Sequence, residues 1–233
     1  MNLDLRKKYF IREELDFSEL ESYNENNKRF YKTPTGEKYP SVTTVLGGDK
    51  TWLYEWRKQV GEEEANKISR HASTRGTRVH KMCEKYMLND DNFANKQMPL
   101  TIELFKSIQP YIDSVEVVYG NEIPLYSHEL KTAGTTDVFC KIDGVNVILD
   151  FKTASKPKAE KDIENYFLQA TTYGLMVKER FNIEVPKIVI LIAVEGSTPQ
   201  YFIKSSSKYE AKVKEIFNIY HSKNEYKNIQ VPS

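Results

Sequence analysis

Cysteine is nearly missing from this chain: Cys83 and Cys140 are the only thiols in 233 residues. Two are too few for a disulfide framework or a four-thiolate cluster, and each falls in an apolar-periodic stretch, so both are expected as buried thiols. An excess of charge is missing too, since 34 basic residues meet 33 acidic ones for a formal charge of +1. There is no global field of the kind a basic tail produces, and contact with a charged polymer must come from a local patch. No apolar run approaches the roughly 20 residues that cross a bilayer. The opening MNLDLRKKYFIREELDF mixes acids with bases and lacks the apolar centre of a presequence, so a cytoplasmic, reducing compartment is expected. Internal repeats and low-complexity linkers are not found, and no G-x-x-x-x-G-K-[ST] loop offers to hold a nucleotide. At 233 residues, one domain with embellishments is favoured over two independent ones.

The first forty residues are polar and spotted with aromatics. Their clearest feature, RFYKTPTGEKYPSV, reads as two extended runs around Pro34-Thr35-Gly36 and predicts a hairpin. After SVTTVL and a turn at Gly47-Gly48-Asp49, a helical run is predicted from Thr51 to about Arg70, carrying Trp52, Leu53, Trp56, Val60 and Ile68. A second helix is predicted from near Thr77, where Val79, Met82, Cys83, Tyr86 and Met87 form a one-faced stripe. A third runs from Leu100 to Ile112. The period then changes to two, and VEVVYG, PLYSHELK, TTDVFCKI and VNVILDFKT predict four strands. An amphipathic run from about Ala159 to Arg180, the wholly apolar KIVILIAV, the short QYFIKS and a helix from about Ser207 to Tyr220 complete the chain. KIVILIAV is too apolar for an edge strand and follows a crossover helix, so the order predicts an α/β fold with a central mixed β-sheet flanked by helices. Residues 1–39 read as an extension with the hairpin, 40–112 as a mainly helical embellishment, and 113–222 as the α/β core.

Between TTDVFCKI and VNVILDFKT lies Asp143-Gly144, the pairing most suited to a two-residue type I′ turn. Counting outward from such a loop pairs Ile142 with Val145 and sets Asp137 opposite Asp150. A four-residue loop shifts the ladder by two, which leaves both acids on one face. Like charges directly opposed are destabilising, and such a pair wants a cation. Period two also places Lys152 with Asp150, while Val147, Leu149 and Phe151 point the other way. An isolated Asp-x-Lys is usually a solvated salt-bridge cluster. With Asp137 across the ladder and a buried-looking strand around Asp150, the trio instead suits a hard divalent cation held by carboxylates, with an ammonium beside it to orient water and offset developing charge. That is the chemistry of phosphodiester hydrolysis.

In order along the chain, RGTRVH, AGTTD, LDFKT and LQATTYG resemble the RecB-like branch of the PD-(D/E)XK nuclease superfamily. More narrowly, YPSVTTVL before a Trp-containing helix, then GTRVH, HELKTAGTTD, DFKTASKPK and QATTYG resemble the mitochondrial genome maintenance exonucleases and their phage and bacterial relatives, over about residues 39–220. The resemblance implies a restriction-endonuclease-like core and a metal-dependent DNA exonuclease, acting on single strands with a free end that passes a helical gate. It implies Mg²⁺ or Mn²⁺ held by His80, Asp137, Asp150 and the backbone carbonyl of Phe151, with Glu129 as a further acid, and it gives Lys152, Gln169 and Tyr173 places in catalysis. The four cysteines of the iron-sulfur members are missing, so no cluster is expected, and no nucleotide. A structure-specific endonuclease or junction resolvase of the same fold, and a DNA-binding module that no longer cuts, are the rival readings. The resemblance fits a monomer in a bacterial or phage-infected cell, with DNA as partner and replication or recombination proteins as possible company.

For holding DNA, Lys156 and Lys158 lie just past the metal centre and Arg75 and Arg78 flank the start of the His80 motif, where they could track phosphates. A solvated charge run is the alternative for the lysines. Ser41, Thr43 and Thr44 of SVTT are expected as backbone contacts by resemblance. Trp52, Tyr54 and Trp56 could stack on bases, although core packing is the commoner fate of tryptophan.

Overall fold

The computed structural model describes residues 5–13, 15–48 and 51–229, with Trp52 and 225–229 described by backbone alone. Strand β1 (Ile11–Arg12) precedes a small antiparallel sheet of β2 (Glu21–Glu25), β3 (Lys28–Lys32) and β4 (Lys38–Pro40). Helices α1 (Val42–Leu46), α2 (Thr51–Val60), α3 (Glu62–Met87) and α4 (Pro99–Ile112) follow. Then come β5 (Val117–Ser127), β6 (Thr132–Ile142), β7 (Val145–Ala154), α5 (Glu164–Phe181), β8 (Lys187–Val194), β9 (Gln200–Ser205) and α6 (Ser207–Ile229). The large sheet runs β1-β5-β6-β7-β8-β9, with β1–β5 and β7–β8 parallel and the other pairs antiparallel. This is the expected mixed sheet flanked by helices.

Strand β8 shows why the sheet has two covered faces. Every residue from Ile188 to Val194 is buried, with Ile188, Ile190 and Ile192 packed towards α5 and α6, and Val189, Leu191 and Ala193 towards α3 and α4. Each large aliphatic side chain so buried contributes about 1.5–3 kcal/mol. Strand β7 alternates the same way, with Val147, Leu149 and Phe151 in the α3–α4 layer. The predicted turn is also found: Asp143 and Gly144 take φ of 49° and 71°, Ile142 pairs with Val145, and the ladder runs to Val138 opposite Leu149.

Several boundaries differ. The predicted break between the first two helices, placed before Thr77, lies instead at Gly61, whose φ of 90° suits glycine alone. Gly76 stays inside α3, where an added Cβ would meet Thr153 Oγ1 at an ordinary 3.6 Å. The two strands read in VEVVYG and PLYSHELK are one strand, β5, with a bulge between Val118 and Gly120. Strand β2 and its Asn26-Asn27 turn were not foreseen, and Asp49 of the expected glycine turn lies outside the described residues.

From Glu62 to Arg78 only Ala65 is buried, whereas Val79, Met82, Cys83, Tyr86 and Met87 pack into the core. The first half of α3 therefore projects beyond the sheet, with α2 packed against it. Tyr54 on α2 is 72% exposed, and Trp56 is half-buried rather than a core residue. Trp52 has no described side chain.

Candidate active site

Strands β6 and β7 pair from their turn as far as Val138 and Leu149 and then part. Beyond that point β6 stays with β5, and β7 stays with β8. The fork opens at Asp137 and Asp150, the next residues out. One consequence is visible at Asp137, whose Oδ2 accepts a 2.7 Å bond from the Phe151 N–H, a donor the ladder no longer uses. The other is that groups from both helical layers converge in the gap.

From α3, His80 Nδ1 lies 3.4 Å from Asp137 Oδ2, and its ring sits edge-on to Phe151. From β7, Lys152 Nζ contacts Oδ2 of the buried Asp150. From α5, the Tyr166 ring lies with its centroid 5.1 Å from Lys152 Nζ, within cation–π range. Gln169 lies one helical turn before Tyr173 and acts to lower its phenol, which burial raises. Tyr173 is buried against Gly134 of the AGTTD stretch, where a Cβ would sit 2.7 Å from its Oη. Replacing Gly134 by Ala should therefore destabilise the fold by about 1–3 kcal/mol through overpacking. Tyr173→Phe, which deletes the crowded oxygen, should restore part of that loss in thermal melts. A neutral single variant would contradict the contact.

The third acid is Glu122, which sequence reasoning missed. It follows the β5 bulge with φ of 49°, between the pairs Asn121–Val138 and Ile123–Thr136, and so stands beside Asp137. Bulges re-aim side chains in this way. Ligand atoms of His80, Glu122 and Asp137 all lie within 4.8 Å of one another. An acid two residues past a strand glycine was the available signal. Glu129, expected in that role, is not brought here: it lies in the turn after β5 and pairs at 2.7 Å with Lys214.

Electrostatics couple these groups. Glu122 keeps an exposed side chain, yet partial desolvation beside the sheet, together with the Asp137 charge, pushes its carboxyl up to about 7. Burial also raises Asp150, against the pull of Lys152. For Asp137, burial is outweighed by His80, Lys152 and the Phe151 N–H, and its carboxyl falls below the ordinary range. Burial works to lower both His80 and Lys152, but Asp137 leaves the imidazole above its usual value, and Asp150 with Asp137 does the same for the ammonium. Crowded carboxylates of this kind, with one imidazole, form a donor set suited to a divalent cation.

The expected DNA contacts are placed unevenly. Arg75 is tied down, with Nη1 2.6 Å from Glu195 Oε1 and Nε donating to Thr153 Oγ1 at 3.2 Å. It braces α3 on β7 rather than facing solvent. Ser41 is buried and caps α1, accepting from the Thr44 N–H at 3.0 Å. Thr43 is exposed and Thr44 half-buried. Arg78 is exposed beside a hollow of about 160 Å³ lined with His71, Thr74 and Met98. Lys156 and Lys158 are exposed in a loop that Gln200 pins through both backbone groups of Lys158, at 2.8 and 2.9 Å.

Over 191 residues the chain is 24% identical to mitochondrial genome maintenance exonuclease 1 of Mus musculus. The chain is similar to an exonuclease. The match covers 74% of this chain and 56% of that relative, so the chain spans little more than half of its length. The resemblance read from the motifs is borne out at that level. No family model matches. A solved structure from Eubacterium rectale, described as a candidate exonuclease, overlaps 65% of this chain and 68% of its own at 13% identity and a TM-score of 0.42; an overlap of that quality says nothing about activity. Among the described residues no helix is long and apolar enough to cross a membrane.

Proposed function

We propose that this chain is a metal-dependent deoxyribonuclease of the PD-(D/E)XK kind, RecB-like, working as an exonuclease on single-stranded DNA from a free end. The observation that carries the reading is the fork between β6 and β7, which gathers Asp137, Asp150, Lys152, His80 and Glu122. The likeness to an exonuclease supports it. His80, Glu122 and Asp137 would hold the cation, with Asp150 completing the acidic wall. A divalent cation there supplies a Lewis acid for the scissile phosphate and lowers the pKa of a water. Lys152, kept charged by its carboxylate neighbours and aimed by Asp150 and Tyr166, offers N–H donors where negative charge grows on the phosphate. The projecting α2–α3 hairpin beside His80 is the element that would restrict entry to a single strand. Monomeric action within replication, recombination or repair is part of the same reading.

End-labelled single- and double-stranded DNA and a closed single-stranded circle, each with Mg²⁺, Mn²⁺ or chelator, test this. Linear single strands should be shortened only with metal, and the circle should stay intact. A cut circle would replace the exonuclease with an endonuclease, and activity in chelator would end the metal reading. Metal uptake should also depend on pH. The cation must displace protons from Glu122, which titrates at about 7, and from His80, held above its usual value. Mn²⁺ affinity should therefore rise between pH 6 and 8, with proton release seen by calorimetry in buffers of different ionisation enthalpy. A pH-independent affinity would remove both groups from the donor set.

A further inference from the structure

The turn joining β2 to β3 stands over α1, and between them lies a cleft of about 670 Å³ lined by Asn24, Asn26, Asn27, Lys28, Arg29 and by Thr43 and Thr44 of α1. Gly47 and Gly48 close it. Among the described residues no carboxylate lines this cleft; Glu25 lines the neighbouring hollow, which Asn26 and Lys28 also border, beside Tyr220 and Asn224. Asn26 and Asn27 take φ of 50° and 59°, the paired left-handed conformation of a type I′ turn, which asparagine tolerates better than most residues. That sharp turn leaves Lys28 and Arg29 exposed at the start of β3.

The side chains of Arg29, Asn24, Asn26 and Asn27 make no hydrogen bond or ion pair with a described residue. Lys28 has only the Tyr220 ring, 6.0 Å away. Arg29 and the three asparagines thus face a concave surface that no described carboxylate lines, with Lys28 on the ridge between it and the Tyr220 hollow. The ligand such a surface fits is an extended anion.

Its position relates it to the fork. The Arg29 carbonyl accepts from the Ser41 N–H at 2.8 Å, Ser41 bridges to Ala133, and Ala133 lies on β6 four residues before Asp137. At two strand spacings sideways and about 3.3 Å per residue along β6, Arg29 stands roughly 15–20 Å from Asp137. About five stacked nucleotides span that distance. We infer that this cleft is a second, non-catalytic site that grips the phosphodiester backbone of a single strand several nucleotides from the scissile bond, through Lys28, Arg29 and the asparagine turn. The inference rests on the nuclease reading for its ligand, and on the hairpin, rather than on the threonines the family already suggests, for its grip.

The test is anisotropy of a labelled 12-nucleotide oligothymidine in chelator, from 50 to 300 mM KCl. A Lys28→Ala/Arg29→Ala variant should bind at least tenfold more weakly at the lowest salt. Two phosphate contacts on a single strand at about 0.7 each should lower the slope of log affinity against log salt by about 1.4. Asn27→Asp, which keeps the turn and adds a negative charge, should weaken binding in the same direction. Lys106→Ala, an exposed lysine on α4 in the opposite layer, should leave the slope at the wild-type value. Wild-type affinity and slope in the double variant would overturn the inference, as would an equal loss in Lys106→Ala. If the wild type binds the oligomer but never cuts it with Mn²⁺, the nuclease reading fails and the cleft stands. If it cuts while the hairpin variants bind normally, the cleft alone fails.

Discussion

Asp137→Asn is expected to abolish Mn²⁺ uptake and to slow cleavage at least a thousandfold, which corresponds to about 4 kcal/mol of transition-state stabilisation. Asp137 links the helical and strand sides of the site. It touches His80 at 3.4 Å and accepts from the Phe151 N–H, and it lies at the fork between Glu122 and Asp150. The amide has the same shape and keeps an oxygen for the Phe151 N–H, so backbone satisfaction is preserved. What it removes is charge. Asparagine is a far poorer oxygen ligand than a carboxylate, and the groups that remain are all disposed to hold protons: Glu122 is pushed up to about 7, His80 is held above its usual value, and Asp150 is raised by burial. Stability in chelator should change little. Asp137 is itself held below its ordinary range, so losing its charge costs something, while Glu122 and Asp150 lose a repulsive neighbour. These terms oppose each other, and the net should stay within about 1 kcal/mol, the range of a shape-preserving substitution. Calorimetry with Mn²⁺, end-labelled digestion and a thermal melt separate the three statements. Wild-type metal uptake by the Asn variant would remove Asp137 from the centre of the site.

How much of this could be read from the residues follows from how far each signal reaches. Asp143-Gly144 is a local signal, because two consecutive positive φ angles suit few dipeptides, and from that turn the alignment of Asp137 with Asp150 follows by counting. KIVILIAV announces a central strand because only two-sided burial calls for seven consecutive apolar residues, Ile188 to Val194. Glu122 was hidden because its position depends on a bulge, which breaks the parity that sequence counting relies on. Arg75 looked like a phosphate contact because its partner Glu195 lies 120 residues away, beyond any local pattern. Helix continuity through Gly76 was hidden because a glycine inside a helical pattern reads as a break, whereas here it is accommodated within α3. Local turns were legible; contacts made by elements folding over one another were not. The fork itself belongs to the second kind, since nothing in TTDVFCKI or VNVILDFKT says where the two strands part.

Lys152→Met should lower cleavage about a thousandfold while leaving Mn²⁺ uptake by His80, Glu122 and Asp137 in place, because the ammonium stabilises developing charge rather than the bound cation. It should also expose how the buried acid is kept charged. Lys152 is the contact that opposes the rise of Asp150, and removing one partner of a buried pair typically costs 3–5 kcal/mol when the other stays charged. Asp150 has an escape, since it can take up a proton, and its carboxyl is already raised. The sign follows from linkage. With a folded-state value above the unfolded one near 3.9, the penalty is absent below the unfolded value and grows as pH rises through the folded one. Without Lys152 the folded value moves higher still. The variant should therefore be markedly less stable than wild type at pH 8 and recover much of the difference by pH 5.5, in denaturant titrations with chelator present. Adding Asp150→Asn should remove that pH dependence and return stability towards wild type, because neither partner then carries a charge. Cleavage should stay lost in the double variant. A Lys152→Met protein with wild-type stability at both pH values would mean that Asp150 does not depend on the ammonium, and the account of how this site holds its charges would have to be rebuilt from the metal side alone.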